Sequence, residues 1–352
     1  MDKKENGCTR SNTDLRTGVE DNLDALVPLD LRKVDSFAEL LAQMKSTAFG
    51  GRSVGEATDT IFEMVSDEEC FVILTLSGAM TVAKMGLIIS DIVEHGLVDA
   101  IVSTGALICH GLVESFGMQH FKLPRNTSDS DLYSKGYCRI YDTIELEKNL
   151  DDLESIIRDI LSDHDTSIPL SSHSLCKKIG KFCNNLSGTR SILGSCYEKS
   201  VPVFIPAFTD SEIALDLAIF NNDNVLSGKN RLSFDPFLDL EKYFEIALPQ
   251  KKLGIITIGG GVPRNWAQQI GPYADVLHRR KDITNKTPVR FHYGVRICPE
   301  PTHWGGLSGC TYSEGVSWGK FLSPNEGGKY AEVYADATIA LPLIAMGVFQ
   351  RM

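Results

Sequence analysis

An alternating α/β fold on a doubly wound, mostly parallel, Rossmann-like sheet with helical insertions is predicted by three features of the sequence. Residues 71–76 and 253–258 are nearly continuous apolar runs that end at Ser77-Gly78 and Gly259-Gly260-Gly261. Such runs suit strands covered on both faces. Helical periodicity separates the first run from the next, residues 100–104, which makes a β-α-β unit, the element of a parallel sheet. The chain, at 352 residues, is long enough for one large core.

The elements follow in order. Residues 1–25 are polar, with Asn6, Thr9, Ser11, Asn12 and Thr13, and read as a flexible tail. Residues 26–352 read as a single domain. Strand 71–76 leads into a helix over 85–95, where Ile88, Ile89, Ile92 and Val93 fall on one face and Gly96 ends the pattern. Strand 100–104 follows. Residues 126–200 read as mostly helical, with a stripe of Leu146, Leu150, Leu153, Ile156, Ile157 and Ile160 that supplies core. Strand 201–205 runs through Pro206, Ala207, Phe208, Thr209 and Asp210 into a helix carrying Ile213, Leu217 and Ile219. Strands over 253–258, 289–295 and 331–334 complete the expected sheet.

Composition narrows the function classes. The formal net charge of −11 at pH 7, from 35 Lys and Arg against 46 Asp and Glu, argues against a nucleic-acid partner and suits a polycationic ligand. Nine cysteines occur without a CxxC pair, so neither a disulfide framework nor a zinc site is expected and a reducing compartment is. The N-terminus shows no basic segment leading into an apolar run, and the longest apolar stretch, 339–349, is short and contains Pro342. The expectation is a cytoplasmic protein with no membrane or metal.

Ligands of open parallel sheets bind beyond the carboxyl ends of the strands. The segments collected there are Ser77-Gly78, Ser103-Thr104-Gly105, Phe208-Thr209-Asp210, Gly259-Gly260-Gly261 and Asp336-Ala337-Thr338. Small residues let a backbone approach a phosphate, and helix N-termini supply N–H donors. No GxGxxG turn is present, so these segments alone leave a nucleotide and simple tight packing equally open. A second feature is Glu314-Gly315-Val316-Ser317-Trp318-Gly319-Lys320. A lysine beside an aromatic ring and away from water is held unprotonated often enough to attack an imine carbon. Lys320 is the candidate nucleophile.

The Ser-Trp-Gly-Lys and Tyr334-Ala335-Asp336-Ala337 segments resemble the end of deoxyhypusine synthases, and the order of motifs is similar to that family across about residues 65–350, in particular to its divergent bacterial branch. The resemblance implies NAD at the Rossmann-like sheet, a homotetramer with sites at subunit interfaces, and removal of an aminobutyl group from spermidine to a lysine imine, from which it passes to an acceptor amine. It implies that Lys320 carries the imine, that Trp318 stacks beside the polyamine and that Glu314 binds an amine. Asp210 matches an aspartate that touches substrate and cofactor. Ser77, Gly78, Thr104, Gly105, Gly260, Gly261, Asp336 and Ala337 match cofactor-contacting positions.

The departures from the family pattern are concentrated in the pocket. Two histidines after the triple glycine are Asn265 and Trp266 here, and paired glutamates are Cys109 and His110. One aspartate is Leu215, with Asp216 one step away, and another falls at Leu307. A buried ammonium without its carboxylate costs on the order of 3 kcal/mol. His110 and His303 can exchange protons near neutrality, and Trp266 or Trp304 can receive a cation on its ring, worth about 0.5–2 kcal/mol. The expectation is therefore an NAD-dependent alkylamine transferase using a polyamine donor and a small amine acceptor. Three alternatives stand beside it: transfer to a protein lysine, a silent regulatory paralogue that binds NAD, and, more distantly, a plain dehydrogenase.

Overall fold

The computed structural model describes residues 15–186, 190–281, 288–306 and 309–352. Residues 15–29 form no helix or strand and expose Leu15, Val19, Leu23 and Leu26, so the described part of the tail is less polar than its neighbours suggested. Helices α1 (Phe37–Lys45) and α2 (Phe49–Ser66) precede β1 (Cys70–Leu76), α3 (Gly86–Glu94), β2 (Ala100–Ser103) and α4 (Gly105–Ser115). The crossover from β2 then holds β3 (Phe121–Lys122), α5 (Asp129–Ser134), β4 (Tyr137–Ile140), β5 (Thr143–Leu146), α6 (Glu147–Ser162), α7 (Ser172–Asn184) and α8 (Ile192–Glu198) before β6 (Val203–Phe204). The chain continues through α9 (Glu212–Leu226), α10 (Phe237–Ala247), β7 (Lys252–Ile258), α11 (Gly261–Gln268) and α12 (Ile270–Arg280). It ends with β8 (Phe291–Ile297), α13 (Tyr312–Ser317), β9 (Lys329–Val333) and α14 (Ala337–Phe349).

Six strands pair in parallel in the order β6-β2-β1-β7-β8-β9. This is the 3-2-1-4-5-6 order of a doubly wound sheet, and it reverses between β1 and β7. Alternate strand residues feed two cores. Val72, Leu74, Leu76, Ile101, Ile256, Ile258, Val295 and Val333 pack under α2, α3, α4 and α14. Ile73, Ala100, Val102, Phe204, Leu253, Ile255 and Phe291 face the opposite way, against Tyr243, Ala267, Ala274 and Tyr312 from α10 to α13. Both faces are covered, which is why the strands read as unbroken apolar runs.

Two expectations are corrected. The strand expected over 201–205 is only two residues long, because Pro202 and Pro206 bracket it and neither can donate to a ladder. The region 126–200 is mostly helical as expected, but β4 and β5 within it pair with β3 in a small antiparallel sheet, and Leu146 ends β5 instead of starting the helical stripe. Its hairpin register, Ile140 opposite Thr143, leaves Tyr141 and Asp142 as the turn, with Tyr141 at φ 54. No Asn-Gly or Asp-Gly dipeptide announces that turn.

Candidate active site

Lys320 lies at the end of the segment that leaves α13. Its backbone is held by two short bonds: Lys320 N–H donates to Gly315 O at 3.0 Å, and Phe291 N–H donates to Lys320 O at 2.9 Å. The residue is 7% exposed, and Nζ donates to Asn265 Oδ1 at 2.9 Å. Burial holds the amine below the usual lysine range, and the nearby Arg264 charge acts in the same direction, while Cys310 and Glu314 oppose them. A neutral amide is its hydrogen-bond partner where an ion pair would have kept it protonated. The Trp318 ring centroid lies 6.0 Å from Nζ.

A cavity of about 790 Å³ is lined by Lys320, Glu314, Trp318, Asn265 and Trp266 together with Gly261, Arg264, Thr302, Gly305 and Cys310. Two fully buried arginines fix its far wall. Arg264 Nη2 donates to Cys310 O at 3.0 Å, and Arg296 Nη1 donates to Gly309 O at 3.5 Å. Gly309 has φ 131 and no room for a side chain, since a Cβ there would overlap the Arg264 guanidinium. Neither arginine stood out in the sequence, where a lone Arg carries no sign of burial.

A second cavity, about 700 Å³, opens over the C-terminal ends of β1, β2 and β6 and is lined by Gly78, Ala79, Thr104, His110, Thr209, Asp210, Glu212 and Leu215. The N-termini of α4 and α9 point to it, capped by Thr104 and Ser211. At the reversal of strand order, Ser77 Oγ accepts Gly260 N–H at 2.9 Å and donates to Ile258 O at 3.1 Å. Gly259, at φ 81, has Ser77 Oγ where a Cβ would be. These features suit an anionic, phosphate-bearing ligand.

The two cavities share no lining residue. One lies over α4 and α9 and the other along α11 and α13, helices whose buried residues belong to opposite sheet faces.

Other expected residues fall as follows. Gly105 is a packing glycine: a Cβ there would lie 2.5 Å from Ser211 Oγ and closer still to Ser211 Cβ. Gly260 caps α11, and Gly261 lines the Lys320 cavity and not the β1–β2 one. Asp336 caps α14, its Oδ1 accepting Thr338 N–H at 2.7 Å, and neither it nor Ala337 lines either cavity. Trp266 packs between Phe204 and Tyr243, with centroids 5.6 and 4.9 Å away, so only part of its surface remains for a ligand. His303 and Trp304 face outward; Trp304 is 72% exposed, and only their neighbours Thr302 and Gly305 reach the cavity wall. Asp216 also misses the cavity. Burial, then Glu154 and Glu212, push its carboxyl up to about 7. Leu307 lies outside the described residues.

Two carboxylates went unnoticed in the sequence. Glu212 lines the β1–β2 cavity with a buried Oε2 that has no hydrogen-bond partner. Glu145, 1% exposed, receives His110 Nδ1 at 3.2 Å and stands 2.6 Å from His120 Nε2. Cys109 beside them is buried, and burial followed by the Glu212 charge pushes its thiol up, leaving it unreactive.

The sheet order and the two cavities define a doubly wound α/β protein with a crevice over the ends of its parallel strands and a buried lysine on a second cavity wall. A sequence model of the deoxyhypusine synthase family matches residues 39–348. The chain belongs to that family. It is 36% identical over 307 residues to "Probable deoxyhypusine synthase 2" of Archaeoglobus fulgidus, covering 87% of this chain and 95% of the relative. It is 35% identical to "Deoxyhypusine synthase-like protein" of Chlorobaculum parvum, covering 87% and 84%. A crystal structure provisionally assigned as a deoxyhypusine synthase from Entamoeba histolytica superposes with a TM-score of 0.59 at 20% identity, covering 92% of this chain and 97% of that one, which shows the shared fold. Among the described residues no helix is long and apolar enough to cross a membrane.

Proposed function

We propose that the chain is an NAD-dependent transferase that moves an aminobutyl-type group from a polyamine such as spermidine to a small acceptor amine through an imine on Lys320. Family membership supports aminobutyl transfer with NAD. The observation that carries the finer reading is Lys320 itself, buried, below the usual lysine range, and partnered by the neutral Asn265 amide.

NAD, when bound, supplies the hydride acceptor and donor that interconvert amine and imine. Its phosphates suit the N-termini of α4 and α9, with Gly78, Thr104 and Asp210 on the same wall. The transfer that follows is an exchange of amines at one carbon and needs no net redox change. Lys320 Nζ keeps its lone pair free while one N–H rests on Asn265 Oδ1. It forms a new C–N bond to the imine carbon as the diamine nitrogen departs with a proton. The acceptor amine repeats the exchange in the other direction. Glu314 and the exposed Trp318 face sit on the same wall, a carboxylate and a ring suited to an ammonium and its methylene chain. Glu212, with its unpartnered oxygen, replaces one carboxylate lost from the family pattern. A second copy, with its Lys320 wall against the first copy's Thr104 wall, would join the two cavities, in line with a homotetramer.

Incubation with NAD and spermidine, trapping with borohydride and mass analysis of the Lys320 peptide test the reading. The expected result is an NAD-dependent aminobutyl mass on Lys320, absent from Lys320→Arg. An unmodified Lys320 across a panel of polyamines would overturn it, and transfer to a protein lysine in preference to every small amine would replace the acceptor.

A further inference from the structure

We propose that His110, His120 and Glu145 form a binding site for a divalent transition ion, Zn2+ by preference, opening onto the β1–β2 cavity. One ligand atom from each residue lies within 4.8 Å of the others. The three come from separate elements: His110 from α4, His120 from the turn after it, and Glu145 from β5. The small antiparallel sheet, where Ile144 pairs with Phe121, is what carries Glu145 to the two rings.

Hydrogen bonding alone accounts poorly for His120. Its side chain is fully buried, and Nε2 lies 2.6 Å from Glu145 Oε2 yet has no hydrogen-bond partner, because the carboxylate stands off the line its N–H would take. A metal ion bonded to both atoms puts the oxygen off the ring axis as a matter of geometry. Zinc bonds of about 2.0–2.2 Å at tetrahedral angles separate ligand atoms by roughly 3.3 Å. The His110 Nδ1 to Glu145 Oε2 distance is 3.2 Å, and the His120 contact needs to open by only about 0.7 Å to match.

The surroundings resemble an outer shell. Glu145 Oε1 is held by Asn149 Nδ2 at 2.7 Å and Leu146 N–H at 2.9 Å, which leaves Oε2 for the ion. On the far side of His120, Nδ1 faces Lys84 Nζ at 2.9 Å and Glu114 Oε1 at 3.8 Å. As the residues stand, Nδ1 accepts from the Lys84 ammonium; with metal on Nε2 the ring proton moves to Nδ1, which then donates to Glu114 while the half-exposed Lys84 turns outward. Two imidazoles and one carboxylate select a borderline ion over Mg2+ or Ca2+. Three protein ligands leave a fourth position, and His110 alone of the three lines the cavity, so that position faces an incoming amine or water. The site stands whether or not Lys320 carries an imine.

The test loads chelator-treated full-length protein with Zn2+ and, separately, with Co2+. The expected result is one Zn2+ per chain by elemental analysis, Kd weakened at least tenfold in Glu145→Gln and His120→Ala, and weakened about 10 to 100-fold in Glu114→Gln. Circular dichroism checks that each variant folds. The cobalt form of the wild type needs no variant: visible bands of a four-coordinate N/O site support the assignment. A thiolate charge-transfer band, Zn2+ uptake unchanged in all three variants, or no stoichiometric uptake by the wild type would overturn it.

Discussion

Replacing Asn265 by Asp tests why Lys320 is reactive. The change puts a carboxylate oxygen where Oδ1 now accepts from Nζ at 2.9 Å. At that separation the charge pair is worth about 1.4 kcal/mol in a water-like dielectric and about 6 kcal/mol at an effective constant of 20. Asn265 is exposed while Lys320 is buried, so the value falls toward the lower figure. A rise of about 1 to 2 pKa units follows, at about 1.4 kcal/mol per unit. At a pH below that pKa the free amine falls about 10 to 100-fold. The assay follows labelling of Lys320 by an amine-directed electrophile against pH, read from the mass of its peptide. Asn265→Asp is expected to shift the labelling profile to higher pH by that amount, and the wild-type midpoint is expected below that of an ordinary lysine. Coincident profiles for the two proteins would refute the argument that a neutral partner keeps the amine available.

Three further outcomes are expected. Gly105→Ala drives a methyl into Ser211 and is expected to cost about 1–3 kcal/mol in denaturant unfolding; adding Ser211→Gly should restore most of it, and an additive double mutant would contradict the packing role. Glu212→Gln replaces a half-buried carboxylate whose Oε2 is buried without a hydrogen-bond partner, so the ligand-free protein should gain about 1 kcal/mol while KM for the polyamine rises at least tenfold, measured by thermal unfolding and steady-state transfer. Asp216 has a folded pKa raised to about 7 by burial and by Glu154, Glu212 and Asp151, with Arg158 opposing, so its contribution is fully present below the unfolded pKa near 4 and is lost as pH rises through 7. Asp216→Asn should therefore stabilise the protein by about 1–3 kcal/mol more at pH 8.5 than at pH 5, and a pH-independent difference would contradict the assignment.

The sheet was legible because covered parallel strands leave apolar runs, and all six expected strands exist. The antiparallel hairpin was not, since β3 and β4 are mostly exposed and the turn is built on Tyr141 and not on glycine. The lysine segment and the edge loops were equally legible as motifs, but what surrounds them was not. Gly105 and Asp336 look like cofactor positions in sequence, and sequence could not show that Gly105 also packs against Ser211 or that Asp336 also caps α14. Pattern marks a glycine where the backbone is approached closely and does not say what approaches it. Glu145 and His120 were invisible for a related reason: 25 residues separate them, and only the small sheet brings them together.

A crystal structure with NAD and a polyamine bound tests the central claim most directly. The account predicts nucleotide along Gly78, Thr104 and Asp210 of one copy, and a polyamine carbon about 3 to 3.5 Å from Lys320 Nζ, with Glu314 or Glu212 on an ammonium. Nucleotide in that place with the polyamine bound away from Lys320, and Nζ still resting on Asn265, would contradict it.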